Sequence, residues 1–469
     1  MRSLIRPLQN SIFISPITAD ELSRCLKVFS DKKSTPSVCG PMWIVRKSTP
    51  LILEAIATIF NKCVQEGVYP DIFKTAEVIP IFKAGSKTDV LNYRPISLLN
   101  PFSKLFEKCL YDRFNNFFTL NKIINEKQFG FKKNYSTENA ILNTITEVSN
   151  NLEQKKSTLS IFLDLRKAFE TVDHSLLLHK LRQYGIRGSA LELIKSFLNN
   201  RMQYVLANGV KSSCRKVTCG IPQGSTLGPL FFVIFINDIF MCSDFKINLF
   251  ADDAYLSLSD SSIKALEEKA NEELIKIDAW IKTNKLALNV TKSTFIVFSK
   301  IKHRRSIRLK IGSNFLEESE EVKYLGVLLD KNLGWSPQIA KVEKKIASSC
   351  WAMSKIKKFS NDKTLKNIYY ATIYPHLIYC ISCWGGVPPS KLNRTIILQK
   401  RAIRIIHKAN RYDHTSGLFK QLDLLKLPEI YTLRILIIMY KINNGSWIGD
   451  VNIQKIDSIH NNDTRLSHN

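Results

Sequence analysis

Apolar positions recur along this chain with two different periods, and the switches between them mark its elements. Over Leu51–Glu66, Ile52, Ile56, Ile59, Phe60 and Cys63 return at helical spacing. Ile263–Thr283 repeats that signal, with Leu266, Ala270, Leu274, Ile277 and Ile281 on one face. Further helices are predicted at Ala19–Phe29, Pro101–Asn115, Leu176–Tyr184, Ala190–Asn199 and from Pro229 to Phe240, the last opened by a first-turn proline. Strand-like runs are Val78–Phe82, Ser160–Leu165, Tyr204–Asn208 with a partner near Arg215–Cys219, Ile247–Leu256, Thr294–Phe298 and Val322–Leu329. From residue 335 the pattern is helical and basic, and no internal repeat or low-complexity tract interrupts it.

Two of the strand-like runs carry acids. Apolar residues approach Asp252–Asp253 from both sides, which reads as a short hairpin with the pair at its tight turn. Adjacent carboxylates repel unless a strong positive charge binds them, and Mg²⁺ is held by one or two carboxylates plus phosphates. A solvated Asp-Asp turn is the plain alternative. A third acid, Asp164, closes the run Ser160–Leu163 and is followed by helix-compatible sequence. One acid ending a strand and two on a neighbouring hairpin could hold two metal ions about 3.5–4 Å apart, the chemistry of nucleotidyl transfer.

The 469 residues are enough for roughly three domain-sized units, and 45% apolar content indicates a globular chain. Lys and Arg number 68 against 41 Asp and Glu, giving +27, which favours a polyanionic partner and nucleic acid ahead of a membrane surface. Lys341, Lys344, Lys345 and Lys355, then Lys400, Arg401, Arg404 and Lys408, recur on the predicted C-terminal helices. Such stripes either track a nucleic-acid backbone or are solvated faces. Ten scattered cysteines fit a reduced intracellular protein. Cys380 and Cys383 with nearby His376 lack a second ligand pair, so buried thiols are preferred over zinc. The apolar run Leu230–Ile236 is too short for a bilayer, and no secretory segment opens the chain. A nuclear or cytoplasmic, non-secreted protein is expected; the cluster Lys300–Arg305 is either a nuclear signal or a basic loop.

Six stretches, in order, carry a resemblance: Asn92–Leu99 (NYRPISLL), Gln128–Phe131 (QFGF), Phe162–His174 (FLDLRKAFETVDH), Gly220–Leu230 (GIPQGSTLGPL), Phe250–Asp253 (FADD) and Tyr324–Val327 (YLGV). Over roughly residues 30–445 the chain resembles reverse transcriptases of non-LTR retrotransposons, most closely the jockey-like branch. The resemblance implies an α+β right-hand polymerase: fingers, a palm whose antiparallel sheet carries the acids, a helical thumb and a helical C-terminal region. On that basis residues 1–62 are an N-terminal extension, 63–330 fingers and palm, and 331–469 thumb and basic C-terminal helices. It implies an RNA template, a DNA primer, dNTPs and two Mg²⁺ ions, with Mn²⁺ as a substitute.

By position, Asp164, Asp252 and Asp253 match the family's catalytic metal ligands. Phe169 would stack under the incoming sugar and leave no room for a 2′-hydroxyl; the alternative is a core ring. Gln223 and Gly224 lie in a turn that either lets backbone approach the nucleotide or merely leads into a helix. Lys83 and Arg94 resemble the cations that grip the triphosphate, Arg as a fork and Lys as a point charge. Lys292 either protonates the departing pyrophosphate or is a surface lysine.

The chain also departs from the family. Glu170 stands where an Asp is usual, six residues past Asp164 and off the metal position. Full-length elements carry an endonuclease ahead of the polymerase; none is visible before residue 30, so an endonuclease would come from another protein. An active RNA-directed DNA polymerase is therefore weighed against a catalytically idle, truncated nucleic-acid-binding relic, and against a group II intron maturase or telomerase-type enzyme. The intact acids support the first, and Tyr324–Val327 favours the retrotransposon branch over the last.

Overall fold

The computed structural model describes residues 4–29, 36, 45–47, 52–300, 307–447 and 449. Residues 301–305 of the basic cluster, and all of the 31–41 loop except Pro36, lie outside these residues.

Helix α1 (Ala19–Val28) begins where the Thr18 hydroxyl accepts the Glu21 amide at 3.2 Å, and α2 (Leu53–Glu66) stops at Gly67 with φ 68°. Strands β1 (Thr75–Phe82) and β2 (Tyr93–Leu98) precede α3 (Pro101–Leu120), which the Asn100 side chain caps by accepting the Phe102 amide at 2.9 Å. Then come α4 (Thr137–Glu153), β3 (Ser157–Asp164), α5 (His174–Gln183), α6 (Ser189–Leu198), β4 (Met202–Ala207) and α7 (Gly228–Ile236). The acid hairpin is β5 (Lys246–Phe250) and β6 (Asp253–Asp260), followed by α8 (Ile263–Thr283) and β7 (Thr294–Phe298). Short strands β8 (Glu317–Glu318), β9 (Glu321–Tyr324) and β10 (Val327–Asp330) lead into helices that include α9 (Ser336–Ile356), α10 (Pro389–Ile406) and α11 (Leu427–Asn443). None of the described helices is long and apolar enough to cross a membrane.

The chain divides into two compact units that interleave along the sequence. The first comprises Met1–Phe131, Asp164–Asp244 and Glu272–Asn289. Its sheet runs β2–β1–β4, with β2 antiparallel to β1, β4 parallel to it, and two short strands, Val210–Lys211 and Arg215–Lys216, added on β4. Phe60 stacks on Phe106 at 4.4 Å, and Tyr69 meets Phe197 edge-on at 5.0 Å. Every residue of α7 from Leu230 to Ile236 is buried, which is why it is apolar on all sides. The sequence pattern carries that helix to Phe240, but after Ile236 it tightens into a 3₁₀ turn, Asn237–Met241, where the Asn237 side chain turns to the Ile123 carbonyl at 2.9 Å. The segment before α1 is stitched down by its backbone. Leu8 and Ile12 amides donate to the Gln183 and Gly185 carbonyls at 2.8 and 3.0 Å, and Arg113 holds the Ser15 and Pro16 carbonyls at 2.8 and 2.9 Å.

The second unit comprises Lys132–Leu163, Phe245–Asn271 and Val290–Asn469. Its sheet order is β8–β7–β3–β6–β5, with β7 antiparallel to β3 and β5 antiparallel to β6. One core runs from Phe162, Tyr255 and Tyr324 through Ile346 and Leu365 to Ile403 and Ile430, so strands and C-terminal helices share it. Val322–Leu329, expected as one strand, is instead a hairpin of β9 and β10. Leu325 and Gly326 take φ values of 44° and 88°, the two left-handed positions that a tight hairpin turn needs. The Tyr379 hydroxyl fixes that turn by donating to the Leu325 carbonyl at 2.6 Å.

Candidate active site

In the second unit, β5 and β6 pair out to Phe250 opposite Asp253, leaving Ala251 and Asp252 as a two-residue turn. Ala251 sits at φ 57°, a left-handed conformation that costs a non-glycine residue roughly 1–2 kcal/mol. Such strain persists only where the surroundings impose it, and it gathers at functional turns. Asp252 is half-buried and Asp253 exposed, while Ala254, Tyr255 and Leu256 behind them are buried. Tyr255 bonds the Ser160 hydroxyl at 3.0 Å, and its ring lies 5.4 Å from Phe162 and 5.8 Å from Tyr324. Burial, and then the Asp253 charge, pushes the Tyr324 phenol well above its ordinary range. On β5 the Asn248 amide donates to Thr144 at 3.2 Å, and Asn143 donates to its oxygen at 3.3 Å, tying the hairpin to α4. Lys292 lies exposed on a single 3₁₀ turn, Val290–Lys292.

In the first unit, Asp164 closes β3, half-buried, and Asn289 holds it twice. The Asn289 amide donates to the Asp164 carbonyl and its side chain to Oδ2, both at 2.8 Å. No spacing rule singles out Asn289, and its partnership is legible only in the fold.

The structure brings Phe169, Gln223 and Gly224 together. Gly220, at φ 83°, presses so close to Glu170 that a Cβ would lie 2.5 Å from its carbonyl; Gly224, at φ 120°, would meet the Ser97 carbonyl at 2.4 Å. Neither position admits a side chain. The Gln223 carbonyl accepts the Ser97 amide at 2.7 Å, its side chain donates to Glu170 Oε1 at 3.3 Å, and the Ile221 amide donates to the Phe169 carbonyl at 2.8 Å. Glu170 thus anchors the glutamine. The Phe169 ring, half-buried, stacks on Phe232 at 4.2 Å and meets Phe131 edge-on at 5.9 Å. Arg94 lies opposite Ile81 on the β1–β2 ladder, and the Lys83 amide closes that hairpin on the Asn92 carbonyl at 2.9 Å; both side chains are exposed.

Among the described residues no group of three or more His, Cys, Asp or Glu side chains is arranged to hold a metal ion. Mg²⁺ needs fewer, since substrate phosphates and water complete its shell. The hard oxygens of Asp252, on the strained turn, and of Asp253, which opens β6 directly after it, fit that chemistry. Burial pushes the Cys380 thiol up to about 12 and the Cys383 thiol well above its ordinary value. Positive charge gathers on α9, where burial, then Lys323 and Lys345, push the Lys341 ammonium down. Burial, then Lys345 and Lys341, does the same to His376.

A sheet whose β3–β7 and β5–β6 pairs are antiparallel and whose β8–β7 pair is parallel, beside helices that share its core, makes this an α+β protein with the right-hand polymerase fold. The profile of the reverse transcriptase (RNA-dependent DNA polymerase) family matches residues 83–329, and the chain belongs to that family. The RNA-directed DNA polymerase from mobile element jockey of Drosophila melanogaster is 28% identical over 436 residues, 90% of this chain and 47% of that protein. Its counterpart in Drosophila funebris is 29% identical over 441 residues, covering 91% and 48%. The probable RNA-directed DNA polymerase from transposon BS of Drosophila melanogaster is 28% identical over 447 residues, again 91% and 48%. The chain therefore spans about half the length of the curated relatives it matches.

Proposed function

We propose that this chain is the RNA-directed DNA polymerase of a non-LTR mobile element, extending a DNA primer with dNTPs on an RNA template. The family match over residues 83–329, with acids on the β5–β6 turn and at the end of β3, carries the reading. Asp164, Asp252 and Asp253 hold the divalent cations, taken as two Mg²⁺, which when bound lower the pKa of the primer hydroxyl and offset the charge of the leaving pyrophosphate. Lys83 and Arg94 bind the triphosphate, Phe169 bars a 2′-hydroxyl, Gln223 and Gly224 orient the nucleotide, and Lys292 donates a proton to the leaving group. The exposed cations Lys344, Lys345, Lys355 and Arg401 bind the nucleic-acid backbone, so affinity should fall steeply with salt.

The test is primer extension on an RNA template with dNTPs and Mg²⁺, comparing the chain with Asp252→Asn. Extension by the natural chain alone supports the reading. Equal extension by both rejects the acid assignment, and none by either rejects the polymerase.

A further inference from the structure

We propose that Glu107, a carboxylate buried on α3, is the positioning residue of the Gly220–Gly228 loop and sets where Gln223 and Gly224 meet the nucleotide. What the loop touches rests on the polymerase reading; how the loop is held does not.

Glu107 is 0% exposed. Its Oε2 accepts the Ser225 hydroxyl at 2.6 Å, the Thr226 amide at 2.7 Å and the Leu227 amide at 3.3 Å. Its Oε1 accepts the Ser103 hydroxyl at 3.0 Å and the Tyr69 hydroxyl at 3.4 Å. Both oxygens are thus committed, one to the loop and one to the core. The partners lie 118 to 120 residues away in sequence, so no local turn chemistry produces this contact. An ordinary helix start needs only a local serine or aspartate cap. A fully buried carboxylate costs several kcal/mol to desolvate, and here five hydrogen bonds offset that cost, three of them from the loop.

The grip falls at the right place. Ser97 closes on Gln223 and Gly224, and Glu107 takes the next three residues. Glu170 holds the other side through the Gln223 amide at 3.3 Å. Without Glu107 the segment after Gly224 is left with short-range bonds: Ser225 N–H to the Pro222 carbonyl (3.2 Å), Gly228 N–H to Ser225 Oγ (3.1 Å) and Phe231 N–H to the Leu227 carbonyl (3.0 Å).

Three variants test this. E107Q retains one oxygen for the loop and turns its amide to the Ser103 and Tyr69 oxygens, so it should behave like the natural chain. E107L keeps the bulk and strands three donors: dNTP KM should rise about tenfold or more with kcat lowered less, the signature of lost nucleotide positioning. The Thr226 and Leu227 amides should exchange with solvent about tenfold faster or more, read by hydrogen–deuterium exchange over 223–228. S225A, which removes one contact and protects against a misfolded E107L, should shift both readouts by about threefold. Natural exchange rates at 226 and 227 in E107L and S225A overturn the assignment, as does faster exchange with unchanged dNTP KM. An inactive natural chain refutes the polymerase reading alone, because the exchange arm still decides whether Glu107 holds the loop.

Discussion

The Gly220–Gly228 loop of the first unit and the Ala251–Asp252 turn of the second are both irregular backbone, yet they are held in opposite ways. The turn is fixed from within: two strands pair up to its last residue, and buried rings of Phe162, Tyr255 and Tyr324 pack behind it. The loop makes no strand ladder and is fixed by groups from elsewhere in its unit, Ser97, Glu107 and Glu170. A turn set by register tolerates polar change at its tip, since the strands carry its shape. A loop set by single hydrogen bonds does not, because an unmet buried donor costs about 1–3 kcal/mol.

The comparison can be broken in four places. The largest effect is expected from Asp252→Asn: primer extension should fall about 10³-fold, with the urea midpoint unchanged, because charge leaves a turn its strands still shape. A shifted midpoint would show that the acid also supports the hairpin. Gly224→Ala comes next. Its Cβ would lie 2.4 Å from the Ser97 carbonyl at φ 120°, so kcat/KM should drop about 100-fold and the urea midpoint should fall with it. Activity near the natural level would mean the loop yields easily. Tyr255→Phe removes the 3.0 Å bond to Ser160 and a hydrogen bond with Ser257, and should cost about 1–2 kcal/mol in urea unfolding while extension stays within about twofold.

The smallest effect concerns pH. Burial alone would raise the Asp173 carboxyl, but the Lys285 ammonium at 2.6 Å and the Leu176 amide at 2.9 Å outweigh it and hold it below its ordinary value. A depressed carboxyl stabilises the fold above its unfolded pKa and loses that contribution as pH falls through the folded value. Stability should therefore decline below about pH 4, by less than about 1 kcal/mol from this partly exposed pair, and Asp173→Asn should flatten that decline in urea midpoints between pH 5 and 3. The neighbouring Val172 carbonyl accepts the Gly220 amide at 2.8 Å, so a matching drop in activity would tie this anchor to the loop.

Elements with a strong apolar signal were fully legible: the one-faced helix Ile263–Thr283 and the continuous apolar run Thr294–Phe298 keep their expected ends. The acid hairpin followed from apolar runs meeting at two carboxylates. Val322–Leu329 misled because Leu325 is no turn former, and only Gly326 signals that the chain reverses. Glu107 was invisible for a different reason. Between Lys104 and Lys108 on an amphipathic helix it reads as a solvated charge, and its burial exists only once Ser225–Leu227 fold over it. Asn289 hides likewise, since its partner Asp164 lies 125 residues away.

The strap that runs ahead of α1 offers its carbonyls and amides to the first unit more than its side chains. Its own residues are therefore replaceable, while the recipients are not. Gly185 lies where any Cβ would stand 2.3 Å from the Asn10 carbonyl, and Arg113 and Arg187 each reach main-chain oxygens of the strap. Tolerance to substitution should accordingly be high across Leu8–Pro16 and collapse at Arg113, Gly185 and Arg187 far downstream, a pattern that a saturation library would display directly.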